Sequence, residues 1–379
     1  MYQECIQITR QFAFCPMAFR IDTYKGCSLG CRYCFANMDW MQGKQCSTYD
    51  TADMDRIRRF FYRALETDKS SKSIIVEMIR HRVPVHCGGM SDPFQHREWE
   101  LGLTKQLIEM SNYYHYPILF STKTAYIPQD YLEILDKDIH AFQISLMGWN
   151  QSYVNHWEAN TPSPQQRLEF VMTLRHDYDF WTSVRIQPVI DIDEVLVLCE
   201  QLKSGMGAYK PNYVTVEHFK STYDVVGSTQ AFLDKVPNQH KSDFISTEGR
   251  IQVKRDVKLR NIRRIKEKLK DSGILLGVGD NDLHYLSDTR CCCGVDTIPS
   301  GEFNQYMRYN LTYMCTGEFG DEWIPKCNPR KHINDQKYGL QIDPKEYVDD
   351  YVRAHPDYLG DRRTVVQKQL FGKTQSSLI

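Results

Sequence analysis

Short apolar runs alternate with amphipathic stretches along most of this chain, the pattern of βα units laid on a largely parallel sheet. The apolar runs predict strands at Arg20 to Asp22, Val83 to His86, Ile118 to Ser121, Phe142 to Leu146, Ser183 to Val189, Tyr213 to Glu217 and Ile274 to Gly277. Apolar positions at helical spacing predict helices at Ala52 to Thr67, Glu98 to Ser111, Gln129 to Leu135, Pro164 to His176, Val195 to Lys203 and Val257 to Asp271. The fold class is therefore α/β, an open sheet or partial barrel whose functional loops gather at one edge. The alternation fades after Leu276, where Cys, Gly, Asn, Asp and Tyr take over. A boundary is expected near Asp280, dividing the chain into an extension over 1–19, a core over 20–280 and a cysteine-rich segment over 281–379.

Composition adds little to the fold and more to the setting. With 379 residues, 41% hydrophobic and 25% charged at a net charge of -1, the chain reads as an ordinary globular protein. The opening MYQECIQITR lacks the apolar core of a signal peptide, and no stretch approaches the roughly 18–20 apolar residues that cross a bilayer. A cytoplasmic location without membrane attachment is the expectation. There the 13 cysteines would stay reduced and serve as ligands, catalytic groups or packing residues. A near-zero net charge argues against nucleic-acid binding by bulk charge. One basic face exists nonetheless, a helical run from Arg250 to Lys270 that includes Arg260, Arg263 and Arg264.

The chemistry concentrates just after the first predicted strand. Cys27, Cys31 and Cys34 are spaced C-x3-C-x2-C on a loop, so three thiolates converge within one turn. Structural zinc ordinarily takes four ligands in paired knuckles, and this triplet has no equally spaced partner nearby. Three thiolates on a four-iron four-sulfur cluster leave one iron open to a reactant.

This motif, with Tyr33 as the aromatic residue before its last cysteine, resembles that of the radical S-adenosylmethionine (SAM) superfamily. The resemblance implies a partial (βα)6-type TIM barrel, to which the cysteine-rich C-terminal segment read from composition is an appendage. It also implies a 4Fe-4S cluster whose open iron binds SAM, reductive cleavage to a 5'-deoxyadenosyl radical, and a one-electron donor of flavodoxin or ferredoxin type. A second set of segments is similar to the spore photoproduct lyase-like group, whose members act, or are assumed to act, in DNA repair. These are Asp22-Thr23-Tyr24, Ser91-Asp92-Pro93-Phe94-Gln95, Ser121-Thr122-Lys123 and the run from Trp157 to Arg167. That resemblance implies a hydrogen-donating cysteine two residues before the Ser-Asp pair, where this chain has Gly89; Cys87, two residues farther upstream, is the candidate that remains, with burial at a strand end as its plainer role.

Polar residues at the other strand ends complete the candidate cofactor site. Gly88, Gly89 and Met90 look like the superfamily's Gly-Gly-Glu-like segment without its acid, or are simply a tight turn. Ser121, Lys123, Ser145, Arg185, Gln187 and Glu217 fall where ligands are expected on a parallel sheet. Farther on, Cys291, Cys292 and Cys293, joined by Cys315 and Cys327, are candidates for a second iron–sulfur cluster or a zinc site, with no metal as the third alternative.

Three functions compete. The first is radical chemistry on a nucleic-acid base, either lesion reversal or base modification, with Arg260, Arg263 and Arg264 on phosphates and Tyr126, Trp149 and Trp157 as stacking groups. The second is modification of a peptide or small metabolite aided by an auxiliary cluster. The third is a noncatalytic metal-bound nucleic-acid-binding module.

Overall fold

A computed structural model describes residues 5–8, 17, 19–34, 36, 50–69, 71, 73–204, 207–222, 227, 229–247, 250–280, 282–289 and 291–303. Its centre is an eight-stranded sheet in the order β1-β2-β5-β6-β7-β8-β9-β13. The strands are β1 (Ile6–Ile8), β2 (Phe19–Ile21), β5 (Val85–Cys87), β6 (Ile118–Thr122), β7 (His140–Ser145), β8 (Thr182–Val189), β9 (Tyr213–His218) and β13 (Leu275–Val278), while β3 (Tyr24–Lys25) and β4 (Asp50–Thr51) form a separate antiparallel pair. From β2 to β13 every pairing is parallel, and β1 alone runs antiparallel on one edge. This open parallel sheet with outer helices is a partial TIM barrel, one of the two forms that the periodicity allows.

Each predicted strand is present to within two residues at its ends. The helix Pro164–His176 begins where expected because Ser163 and Gln166 form a reciprocal capping box ahead of Pro164. The predicted helix from Glu98 is instead two, Glu98–Leu101 and Leu103–Tyr114, because Gly102 sits in the left-handed region at φ 61° and ends the first. The periodicity also missed a three-stranded excursion, β10 (Lys220–Thr222), β11 (Phe244–Thr247) and β12 (Arg250–Val253), whose strands are too short to show a period.

Strand alternation gives the sheet two different faces. The outer one carries Val85, Cys87, Ile118, Phe120, Phe142, Ile144, Val184, Ile186, Val214 and Val216, all in the main apolar core. The helices Leu103–Tyr114, Pro164–His176, Ile192–Ser204 and Arg255–Leu269 contribute Leu107, Leu168, Leu198 and Ile265 to the same core. The inner face carries His86, Ser121, Gln143, Arg185 and Thr215, linked from strand to strand.

Below that polar layer the lumen has an apolar floor. Leu119, Ala141, Trp181 and Tyr213 from the sheet meet Cys291, Cys293, Val295, Ile298 and Phe303 from the segment after β13. The described part of the cysteine-rich segment, 282–289 and 291–303, is packed on the barrel. Thr215 Oγ1 donates to the Cys292 carbonyl at 2.7 Å, and Tyr213 Oη to the Cys291 carbonyl at 2.9 Å. Glycines on the two sides permit this approach. A Cβ on Gly277 would stand 2.1 Å from the Cys292 carbonyl oxygen, and one on Gly294 2.4 Å from the Tyr213 ring.

Gly277→Ala is expected to cost at least about 1–3 kcal/mol by overpacking this floor, whereas Gly301→Ala, with nothing near its Cβ, should change stability by less than about 0.5 kcal/mol. Urea unfolding of the two variants measures the difference, and equal midpoints would show that the 291–303 segment does not plug the lumen.

Candidate active site

The cysteine loop leaves β2 at the C-terminal edge of the sheet, and groups from the segment after β5 and from around the end of the helix Gln151–Trp157 hold its backbone. Gln95 uses both ends of its amide: Oε1 accepts from Ser28 N at 3.1 Å and Nε2 donates to the Gly26 carbonyl at 3.1 Å. Asn160 Nδ2 donates to the Ser28 carbonyl at 3.1 Å, and Arg32 N donates to the Trp157 carbonyl at 2.9 Å. Cys31 and Glu158 form an isolated antiparallel bridge. The segments that share no sequence neighbourhood thus meet on one loop of about eight residues.

The thiols lie close enough to influence one another. Burial pushes Cys27 up to about 12, with the Asp92 carboxylate adding to the effect and Cys34 contributing. Burial likewise raises Cys31 well above a free thiol, while the Lys123 ammonium pulls the other way. Thiols held protonated by burial become thiolates when a cation arrives, so the donor set suits a metal cluster.

Glu158 is the central charge of the site. It is fully buried, and its carboxylate meets Lys123 Nζ at 2.7 Å and Arg167 Nη1 at 2.9 Å and accepts a short hydrogen bond from the Tyr33 hydroxyl. Burial alone would raise its pKa, but the two cations outweigh burial and hold it at about 2. The same burial and the adjacent carboxylate raise the Tyr33 phenol well above its ordinary value, so it stays a donor. Lys123 also lies over the Tyr33 ring, 5.6 Å from its centroid.

Two buried aspartates fix the neighbouring turns. Asp92 accepts from Thr122 Oγ1 and Lys123 N, both at 2.7 Å, and from Phe94 N at 3.0 Å, tying the turn after β5 to the end of β6. Asp22 accepts from Met90 N at 2.8 Å and pairs with Arg20 Nε at 2.7 Å. Gly88 is required by this packing: at φ 102° a Cβ would stand 2.1 Å from the Ser121 carbonyl oxygen. A Cβ on Gly89 would stand 2.9 Å from Arg20 Cδ, so Arg20 fills the space a side chain there would need.

The remaining predicted residues divide sharply. Ser121, Ser145, Arg185, Gln187 and Glu217 all lie on the inner face, and Gln187 donates a short hydrogen bond to Glu217. His86 shares that face, its Nε2 2.7 Å from Ser121 Oγ; burial, then the nearby Arg185 charge, lowers it to about 4 and keeps it neutral. Cys87 does not share it. As the alternate residue of β5 it points into the outer apolar core, where burial raises its thiol far above the usual range, so the catalytic position expected of it is not one its side chain reaches. Trp157 is likewise buried in apolar packing and offers no stacking surface, and Trp149 is packed against the main core, whereas Tyr126 is 61% exposed.

Of the second cysteine set, Cys291 and Cys293 bring their sulfurs to 3.1 Å in the lumen floor, while Cys315 and Cys327 lie outside the described residues. The basic helix Arg255–Leu269 packs outside the barrel against Ile192–Ser204, and its cations face the protein's own acids. Arg264 meets Asp193 at 3.0 Å and Arg260 meets Asp243 at 3.5 Å; Arg263 is exposed. The roles of Glu158, Arg167, Asp22, Asp92, Gln95, Asn160 and His86 were missed because nothing in a sequence distinguishes a buried polar side chain from an exposed one. Except for His86, which ends a predicted strand, their only signal was membership of the ordered segments around the triad.

Glu158→Gln leaves Arg167 and Lys123 beside a neutral amide, which is expected to destabilise the fold by about 3–5 kcal/mol. Chemical denaturation at neutral pH measures it, and a loss below about 1 kcal/mol would remove Glu158 from its central place.

No family model matches the chain. Uncharacterized proteins of Mycobacterium tuberculosis H37Rv and Mycobacterium bovis are 25% identical over 171 residues, which is 42% of this chain. The match spans about half, 46%, of the length of those curated relatives. Among solved structures, spore photoproduct lyase complexed with dinucleoside spore photoproduct is similar at a TM-score of 0.51 and 16% identity, covering 69% of this chain and 76% of that one. A double mutant of spore photoproduct lyase with bound AdoMet and the same dinucleoside is similar at 0.52 and 16% identity, covering 72% and 79%. The chain has the fold seen in spore photoproduct lyase.

Proposed function

We propose that this chain is a radical SAM enzyme acting on a nucleic-acid base. The single observation that carries the reading is the convergence of Cys27, Cys31 and Cys34 on one loop, fastened by Gln95, Asn160 and Glu158 at the C-terminal edge of a parallel half-barrel. Thiolates are the ordinary ligands of an iron–sulfur cluster, and a cation removes the burial penalty that keeps these thiols protonated. Cys27, Cys31 and Cys34 would hold a 4Fe-4S cluster by three of its irons. When bound and reduced by a flavodoxin- or ferredoxin-like donor, the cluster and SAM supply a 5'-deoxyadenosyl radical that takes a hydrogen atom from substrate.

The chain's own residues then do the positioning. Lys123 and Arg167 keep Glu158 charged, and Glu158 fixes Tyr33 and the Cys31 strand segment in turn. Asp22 and Asp92 set the turns carrying Met90 and Lys123 at the rim. In the lumen Ser121, Gln143, Arg185, Gln187 and Glu217 offer donors and acceptors to the methionine, the ribose or a substrate's polar edge. The floor built by Cys291 to Phe303 closes the lumen below them.

The nucleic-acid half of the reading is supported by the likeness to a lyase solved with a dinucleoside, and by Tyr126 on the loop after β6, with Trp99 edge-on beside it. The basic helix lends it little, since Arg260 and Arg264 already face acids. Base modification is favoured over lesion reversal that needs a thiol donor beside the Ser-Asp pair, because Gly89 carries no thiol and Cys87 points outward. Modification of a peptide or small metabolite is the second reading; the observation favouring it is the cysteine-lined lumen floor, a candidate place for an auxiliary cluster or zinc. A cytoplasmic setting suits the oxygen sensitivity of such a cluster; among the described residues no helix is long and apolar enough to cross a membrane.

Anaerobically reconstituted protein given reductant and SAM is expected to release 5'-deoxyadenosine, and Cys31→Ala to release none; retained cleavage in that variant would overturn the cluster assignment. Deuterium-labelled oligonucleotides should transfer label into 5'-deoxyadenosine, and transfer from peptides alone would select the second reading. Tyr126→Ala is expected to weaken single-stranded oligonucleotide binding by roughly 5- to 150-fold, the worth of one base stacked on an aromatic ring. Unchanged affinity in a filter-binding titration at low salt would remove Tyr126 from the interface.

A further inference from the structure

Among the described residues outside the cysteine loop and the lumen, one cluster of side chains has the donor set and the geometry of a metal site. Asp191 follows β8 and caps the helix Ile192–Ser204, its Oδ1 accepting from Asp193 N at 2.9 Å. His240 comes from the short 3₁₀ segment Asn238–Asp243 of the excursion between β10 and β11. One donor atom each from Asp191, Asp193 and His240 lie within 4.8 Å of one another.

The histidine is what separates this cluster from an ordinary acidic patch. Its ring is 7% exposed, and its buried Nε2 makes no hydrogen bond. That atom points between the two carboxylates, 3.1 Å from Asp191 Oδ1 and 3.4 Å from Asp193 Oδ2. An ionic N–H···O bond would be about 2.7–2.9 Å long. Two atoms each about 2.1 Å from a metal stand about 3.0 Å apart at right angles and about 3.4 Å apart at the tetrahedral angle. The observed spacings fall in the second range.

The other ring nitrogen supplies the outer partner that metal-binding histidines usually have. His240 Nδ1 faces Asp243 Oδ2 at 3.2 Å, which orients the ring and leaves Nε2 as the acceptor available to a cation. Arg260 stands 3.5 Å from Asp243 and Arg264 3.0 Å from Asp193 Oδ1, so each arginine steadies a carboxylate and leaves Asp193 Oδ2 toward His240. This also gives Arg260 and Arg264 a place in the fold that needs no nucleic acid.

We propose that Asp191, Asp193 and His240 bind a first-row divalent cation with nitrogen and oxygen preference, of the Mn²⁺ or Zn²⁺ class, which ties the 220–253 excursion to the end of β8. The site is independent of the cysteine loop, and its test needs no iron, SAM or catalytic activity. Mn²⁺ is the probe, because it favours carboxylate and imidazole over the chain's many thiols.

Titration of the full chain with Mn²⁺, followed by the electron paramagnetic resonance of the free ion, is expected to show one site. His240→Ala should abolish it, and Asp243→Asn, one step removed from the cation, should weaken it about 10- to 100-fold. Asp193→Asn, a change at a largely exposed side chain whose fold circular dichroism checks, should weaken it at least about tenfold. Mn²⁺ binding that is absent, or that persists in His240→Ala, would make the three side chains an ion-pair cluster only and overturn the proposal.

Discussion

A single buried carboxylate organises the rim of this barrel. Glu158 lies out of solvent with Lys123 from the end of β6, Arg167 from the helix Pro164–His176 and Tyr33 from the cysteine loop around it. None of these groups is tolerable alone in that position: a bare carboxylate would protonate, and Arg167, also fully buried, would be an uncompensated charge. Because Glu158 is the acid that both cations meet, with Arg167 held further by the Ser145 carbonyl, the loop, the strand ends and the helix must arrive together. The three thiols inherit their placement from that requirement.

The same logic is repeated around the rim with smaller groups. Asp92 and Asp22 each gather backbone N–H donors from a turn, which converts flexible strand-to-helix connections into fixed ones. Gln95 and Asn160 do so for the cysteine loop itself with neutral amides. A site built this way keeps polar groups on the inner face and apolar ones behind them. The floor under the lumen then matters as much as the rim, because the 291–303 segment packs beneath the lumen and covers the polar layer from below.

Much of the fold was legible without coordinates. Seven strands and most helices follow from periodicity, because each βα unit must bury one stripe of helix and both faces of its strand. The element ends were blurred where single residues intervene, as at Gly102, and the short strands of the excursion left no period to read. Strand alternation was the decisive missing step for the site. Reading Val83 to His86 as the strand stopped one residue short of Cys87, whereas the strand Val85–Cys87 places His86 inside and Cys87 outside.

The sequence by itself determined the parallel sheet, the cysteine triplet and the ordered segments that accompany it, because hydrophobic period and local spacing are properties of neighbouring residues. Only the tertiary structure decided which charges are buried, which face each strand residue takes and what the basic helix is for. Glu158 and Arg167 are nine residues apart in the chain, Lys123 thirty-five from Glu158 and Tyr33 one hundred and twenty-five. The pairing of Arg260 with Asp243 and of Arg264 with Asp193 is equally invisible to a charge count. Such long-range encounters depend on how the sheet curls, and their energies depend on a low dielectric that exists only once the chain has closed around them.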